Sequence, residues 1–290
     1  MTVPPTRDLF DRRRRAIRRD RRVGAKGDYL GAVMAEQLLE RLDDVSRSFT
    51  DALVIGGRNE GMVRSLIERG LRVTIVEPAP GLSARLGAIA SDEDRLPVEP
   101  ESFDLILWPG GLEGVNDVPG ALLRGRMALR PDGLLLGCFV GDGSLPQLRA
   151  AFALAEQSRP AARLHPQIGA AAMGDLLQKI GLALPVVDVE RLSLAYADLA
   201  SMVADLRSAA LTSVLAGPVP RLSRKGWIAA QVAFTNGDVR TLETIRIVHF
   251  SGWAPHPDQP KPAKRGSATT SLADALKSGA ARQPMDEAGG

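Results

Sequence analysis

Three stretches in the first third of the chain carry residues that could together hold a nucleotide. The run "ALVI" (52–55) enters a glycine pair, Gly56 and Gly57, and leads into "GMVRSLIERG". Glycine at the end of a strand lets the backbone come close to a ligand, beside the start of the next helix. The following run, "RVTIVE" (72–77), ends in an acid, Glu77. A carboxylate at that point can accept both hydroxyls of a ribose, with a charge-assisted strength that Ser or Asn lacks. Further on, "SDEDRLP" supplies Asp92, an acceptor for an adenine amino group. Each feature also has a plain structural reading: a tight turn, a solvated strand end and a local cap. Their occurrence in this order favours a nucleotide crevice.

Such residues need a scaffold, and the surrounding pattern supplies one. Short, almost wholly apolar runs at 52–55, 72–77, 103–108 and 132–140 alternate with helical patterns. This alternation predicts an α/β fold with a parallel sheet buried on both faces. In the first such helix, Met62, Val63, Leu66 and Ile67 form one apolar stripe closed by Gly70. The second half is less regular. Residues 145–157, 171–182 and 198–210 read as helices, whereas 184–196 and 239–251 alternate like strands. From Gly252 onward Pro, Lys, Gly and Ser dominate, as in a loosely held tail. The expected division is a basic N-terminal helical segment (1–45), a main domain (46–255) and a Pro/Lys-rich tail (256–290).

Composition narrows the class. The 290 residues are 44% hydrophobic and 24% charged, values ordinary for a soluble globular protein. No apolar stretch reaches the roughly 18 residues of a membrane span, and no signal-peptide pattern opens the chain. The single cysteine, Cys138, lies in the apolar run "LLLGCFV", where an inert buried thiol is expected. It excludes an internal disulfide and fits a reducing, cytoplasmic setting. The net charge of +3 is unevenly placed, because residues 1–26 hold ten Lys/Arg against three Asp. The run "DLFDRRRRAIRRDRR" suits an acidic partner surface or an anionic membrane, and its lack of stacking aromatics points away from nucleic acid. The simplest reading is a solvated helix whose arginines pair with Asp8, Asp11 and Asp20.

The stretches "SDEDRLPVEPESFDLIL" and "VNDVPGALLRGRMALRPDGLLLG" resemble the class I S-adenosylmethionine-dependent methyltransferases. The nearest branch holds methyltransferase type 11 domains and the malonyl-carrier-protein methyltransferase of biotin synthesis. The flanks "LFDRRRRAIRR", "DGSLPQLRAAFALAE", "DLASMVADLR" and "FSGWAPHPDQPKPAKRGSATTSLADAL" resemble bacterial relatives of a mitochondrial complex I assembly factor regarded as a protein-arginine hydroxylase. The resemblance implies a Rossmann-like, seven-stranded, mostly parallel sheet with an antiparallel last strand and helices on both faces. It also implies S-adenosylmethionine across the strand ends, held by Gly56, Gly57, Glu77 and Asp92. Several residues depart from the family pattern. Val54 stands where an acid is common, Arg58 and Glu60 where further glycines are expected, and Gly114 where an aromatic is. Arg58 or Glu60 on the inner face of the turn would occupy the space of the methionine moiety, and Gly61 could replace one missing glycine.

Methyl transfer needs alignment and exclusion of water more than a fixed catalytic set, so no catalytic residue is assigned. Trp108, Asn116, Tyr196 and Trp253 are candidates to face the reaction pocket. Hydroxylation would instead suggest a two-His, one-carboxylate iron site. "HPD" (256–258) with His165 or His249 has the required residue types, but in a Pro-rich loop without a rigid scaffold, so no metal is expected. Three functions follow: a methyltransferase-like enzyme, an arginine-hydroxylase-like enzyme acting on a respiratory-complex subunit, or a non-catalytic assembly factor for that complex.

Overall fold

The computed structural model describes residues 8–21, 27–56, 59–156 and 160–256. Two helices precede the sheet, α1 (Arg12–Asp20) and α2 (Tyr29–Asp43). Each opens on an aspartate: the Asp11 carboxylate accepts from the Arg14 N–H at 2.9 Å, and Asp28 from the Gly31 N–H at 3.0 Å. Such caps satisfy donors that the first helical turn leaves free.

The apolar runs become strands. β1 (Asp51–Ile55) leads to α3 (Glu60–Glu68), β2 (Arg72–Glu77) to α4 (Pro80–Leu86), and the two-residue β3 (Ile89–Ala90) follows. β4 (Phe103–Pro109), α5 (Val118–Ala128) and β5 (Leu129–Val140) complete the parallel part. After α6 (Pro146–Ala155) and α7 (Ala170–Lys179) come β6 (Ala183–Tyr196), α8 (Leu199–Ser208), α9 (Arg224–Thr235) and β7 (Thr241–Trp253). The seven strands are ordered β3-β2-β1-β4-β5-β7-β6, and β7 runs antiparallel to both of its neighbours.

Alternate side chains along each central strand point to opposite faces, and each face has its own core. Val54, Leu105, Leu107, Leu136 and Ile247 pack with Met34 and Leu38 of α2, Met62 and Leu66 of α3, and residues of α6, α8 and α9. Leu53, Ile55, Ile106, Trp108 and Phe139 pack on the other face with α5 and α7. Helices therefore cover both faces, as a parallel sheet requires. Cys138 belongs to the first core, where its thiol donates to the Met34 carbonyl at 3.8 Å. Gly137 is dictated by packing: a Cβ there would lie 2.2 Å from the Phe250 ring of the adjacent strand.

Three details differ from the sequence reading. Ile67 does not join the apolar stripe of α3; it is exposed, while Met62 and Leu66 carry the contact. β3, only two residues long, is too short to show as an apolar run in the sequence. α9 shows no clear apolar stripe in the sequence, because its apolar residues Trp227, Ile228 and Val232 stay on the exposed side.

Candidate functional site

The parallel strands β1, β2 and β4 end along one edge, and the turns that follow enclose a narrow crevice. Gly56, just after β1, has φ +74°, a conformation that L side chains rarely adopt, and its N–H donates to the Val76 carbonyl at 2.8 Å. Glu77, the last residue of β2, is fully buried. A short 3-10 turn, Glu93–Arg95, puts Glu93 fully and Asp94 almost fully inside, while Asp92 stays at the rim. After β4, Gly110 and Gly111 both take positive φ, and Gly114 follows in a second 3-10 turn.

Helix α1 lies over this crevice and fills it with arginines. The Arg19 guanidinium donates from Nε to Glu77 Oε1 at 2.6 Å and from Nη2 to Oε2. Arg15 donates to both oxygens of Glu93, at 2.5 and 2.6 Å, and also to the Gly111 carbonyl at 2.8 Å. Arg12 spans both oxygens of Asp94 at 2.7 Å, and Asp92 lies 3.0 Å from its Nη1. Arg12, Arg15 and Arg19 are three and four residues apart, so they share one helix face. The absence of side chains at the glycines makes room for them. A Cβ on Gly114 would stand 3.0 Å from Arg15 Nε, and one on Gly56 would stand 3.4 Å from Arg19 Nη2.

Electrostatics follow from this packing. Burial alone would raise the Glu93 carboxyl, but the Arg15 and Arg19 guanidiniums hold it below its ordinary value. Asp94 is likewise pulled down by Arg12 against the effect of burial. For Arg19, burial favours the neutral form, yet Glu77, with Glu93 and Glu113 behind it, keeps its pKa above the usual guanidinium value.

Both ends of α1 are anchored. The Asn116 side chain accepts from the Phe10 N–H at 2.8 Å and donates to the Phe10 carbonyl at 3.0 Å. Phe10 pairs with Leu215 as an isolated bridge, and its ring rests on His165 with centroids 4.9 Å apart. His165 Nε2 accepts from the Val214 N–H at 2.7 Å. Burial, then the nearby Arg18 and Arg15, lowers this histidine to about 4. At the other end, Asp20 accepts from the Leu82 N–H at 2.9 Å and so caps α4, whose own N-cap, Ala79, has no side chain able to do so. A mostly apolar cavity of about 160 Å³ adjoins this strap; Glu113, Leu148, His165, Val203 and Ser213 are among its walls.

No protein-family model matches the chain. It is, however, 31% identical over 271 residues to "Arginine-hydroxylase NDUFAF5, mitochondrial" of Danio rerio, covering 88% of this chain and 84% of the relative. The chain belongs to the NDUFAF5 arginine-hydroxylase family. The Homo sapiens member is 28% identical over 295 residues, with 94% and 85% covered. Malonyl-[acyl-carrier protein] O-methyltransferase of Xylella fastidiosa matches a shorter part, 31% over 174 residues and 59% of this chain. Among solved structures, a candidate methyltransferase of Bacillus halodurans C-125 superposes with TM-score 0.52 at 9% identity, over 76% of this chain and all of that one. The YcgJ protein of Bacillus subtilis gives 0.50 at 12% identity, over 76% and 99%. The strand order and these neighbours make the fold that of the class I methyltransferases.

Within this NDUFAF5-family chain, Gly56 and Glu77 meet at the crevice, whereas Gly57 and Arg58 lie outside the described residues. Glu60 does not enter the hollow; it is exposed and paired with Arg85 at 2.6 Å. Gly61 supplies no turn, because it lies inside α3. The reading of α1 as a wholly solvated helix needs correction. Arg12 does pair with Asp8 at 3.2 Å and Arg14 with Asp11 at 3.6 Å, but Arg15 and Arg19 are buried on distant acids. Buried guanidiniums need carboxylate partners, and Glu77 and Glu93 provide them.

The four pocket candidates are not brought together. Trp108 is buried in the core with no hydrogen-bond partner for its Nε1 among the described residues, and Asn116 anchors Phe10. Tyr196 is core, its phenol pushed up by burial and then by Asp205, and Trp253 packs on the same core from β7. The described residues hold no group of three or more His, Cys, Asp or Glu able to bind a metal, and Pro257 and Asp258 lie outside them. Glu93 is the acid that the sequence reading missed. Its signal was the triplet Asp92, Glu93, Asp94, of which only a 3-10 turn decides the inward members.

Proposed function

We propose that the crevice holds S-adenosylmethionine and that the chain acts on a protein partner during assembly of respiratory complex I. The carrying observation is Glu77. Its carboxylate is wholly buried at the end of β2, close to the positive-φ Gly56, with both oxygens engaged by a side-by-side donor pair from Arg19. A ribose diol offers a comparable pair of donors, so the residues present suit a nucleoside. Gly56 and Gly57 would let the backbone approach the ligand, and Asp92 with Glu93 would serve the adenine side. When bound, the sulfonium supplies the methylating power, and the protein's task is to orient the acceptor and exclude water.

A second reading, action on an arginine, is supported by a different observation. Glu77 and Glu93 each embrace a guanidinium, and relatives carry the name arginine-hydroxylase. Under either reading the single, buried Cys138 agrees with a cytoplasmic setting, and among the described residues no helix is long and apolar enough to cross a membrane. Calorimetric titration with S-adenosylmethionine tests the first reading: binding that disappears in Glu77→Ala supports it, and no binding at millimolar ligand ends it. Mass spectrometry of co-expressed respiratory subunits separates the two, because the first adds a methyl group and the second an oxygen atom.

A further inference from the structure

We infer that α1 is an internal occupant of the nucleotide crevice, which a nucleoside must displace by exchanging Arg19 for its own hydroxyl pair on Glu77. This rests on the reading of the crevice as an S-adenosylmethionine site and adds how entry to it is controlled.

The fit is two-sided. Arg19 satisfies both Glu77 oxygens, and Arg15 satisfies both Glu93 oxygens and a backbone carbonyl. Glu77 cannot accept the Arg19 pair and a ribose diol together. Of the roughly four lone-pair sites of a carboxylate, Arg19 takes one on each oxygen, and the Ala79 N–H takes a second on Oε1 at 3.1 Å. A diol's two donors therefore find room only when Arg19 leaves. Room for the arginines is created by Gly56, Gly111 and Gly114, whose missing Cβ atoms would lie 3.0 to 3.4 Å from guanidinium nitrogens. An aromatic at position 114 would exclude Arg15 from its present place. The glycine there and the arginines of α1 are therefore parts of one arrangement.

The strap is held by polar and backbone contacts rather than built into the apolar core. Apart from the arginine pairs, it is held by Asn116 on the Phe10 backbone and by backbone bonds of Leu9 and Asp11 to Ala216 and Val214. Arg14 on the Leu215 and Gly217 carbonyls, the small cluster of Phe10, Val214 and Leu215, and Asp20 on the first turn of α4 add to these. Neither core cluster includes a residue of α1. Displacement exposes Glu77 and Glu93, with Glu113 close by, and such an acidic crevice prefers a cationic ligand. S-adenosylmethionine carries a sulfonium charge that S-adenosylhomocysteine lacks, so the former is favoured when the arginines leave.

The test compares full-length wild type with Arg15→Gln/Arg19→Gln and with Arg13→Gln/Arg21→Gln. The last removes the same charge from the exposed side of α1. Hydrogen exchange follows the α1 amides, and calorimetry follows S-adenosylmethionine and S-adenosylhomocysteine. If occupancy by α1 limits binding, apparent affinity falls by the fraction of open molecules. The crevice pair should then tighten S-adenosylmethionine about tenfold or more, with the surface pair unchanged, and saturating ligand should speed exchange in wild-type α1. Should the crevice double variant fail to fold, Phe10→Ala loosens the anchor without touching the carboxylates and should tighten binding as well. Unchanged or weaker binding in the crevice variants, or slower α1 exchange with ligand, overturns the exchange while leaving the site intact. Absence of binding in every variant overturns the site reading and the exchange with it.

Discussion

At the scale of single residues, the buried groups divide into those with partners and those without. Glu243 is wholly buried, and burial pushes its carboxyl up, but it accepts from the Leu148 N–H in the first turn of α6 at 2.8 Å and from the Thr244 N–H beside it in β7 at 2.9 Å. His249 lacks such support. Among the described residues neither ring nitrogen has a hydrogen-bond partner, and a Glu190 carboxylate oxygen is 3.8 Å from Nε2. Burial, reinforced by Arg41, lowers the ring to about 4, so it is neutral at pH 7 and that approach is not an ion pair. Beside it is a cavity of about 210 Å³ lined by Leu134, Leu136 and Trp253 among others. A buried polar group without a partner costs about 1–3 kcal/mol, whereas an apolar group of similar shape does not. His249→Phe should therefore raise stability by about 1 kcal/mol, read from the urea midpoint at pH 7. A loss of similar size would mean that ordered water in the cavity satisfies the imidazole.

At the scale of elements, most of the fold was legible because its signals are local. The limits of β2 at Arg72 and Glu77 match its apolar run, and β1, β4, α5 and α8 lie where their patterns put them. The elements that escaped had conflicting signals: β3 is only two residues long, and α9 exposes much of its apolar surface. The site was half legible. Glu77 and Gly56 were marked by their place at strand ends, but their occupants come from residues up to 58 positions away. The arginine spacing in α1 was visible; the distant acids that select Arg15 and Arg19 were not. One link between elements is open to direct measurement. α4 begins at Pro80 after an alanine that cannot cap it, and Asp20 of α1 performs that role from a distance. Loss of a cap costs about 1 kcal/mol. Asp20→Ala should lower the unfolding free energy by about that amount and also speed hydrogen exchange at both the end of α1 and the start of α4. Faster exchange at α4 alone would indicate that α1 does not depend on this anchor.

At the scale of the whole molecule, the buried histidines and the crevice carboxylates make stability depend on pH in the same direction. His165 and His249 have folded values of about 4, below the unfolded value of 6.5. Between those values the unfolded chain binds protons that the folded chain refuses, so stability is full above pH 6.5 and declines as pH falls toward 4. Glu93 and Asp94 are also depressed on folding. Their contribution is full above the ordinary carboxylate range and is lost as pH falls through their folded values. Urea unfolding from pH 8 to 3 should therefore give a plateau, a first decline beginning near pH 6.5, and a steeper one below the ordinary carboxylate values. The two phases have different origins: the first belongs to the neutral imidazoles, the second to the seating of α1. His249→Phe should reduce the first slope and spare the second, whereas Arg15→Gln/Arg19→Gln should remove the Glu93 share of the second and leave that of Asp94, which Arg12 holds. If the acid-side slope survives that double variant unchanged, the Glu93 pair does not set acid stability, and proton uptake must be assigned to other carboxylates, such as Asp94 beside Arg12 or Asp51, which Arg72 and Arg130 pull down to about 2.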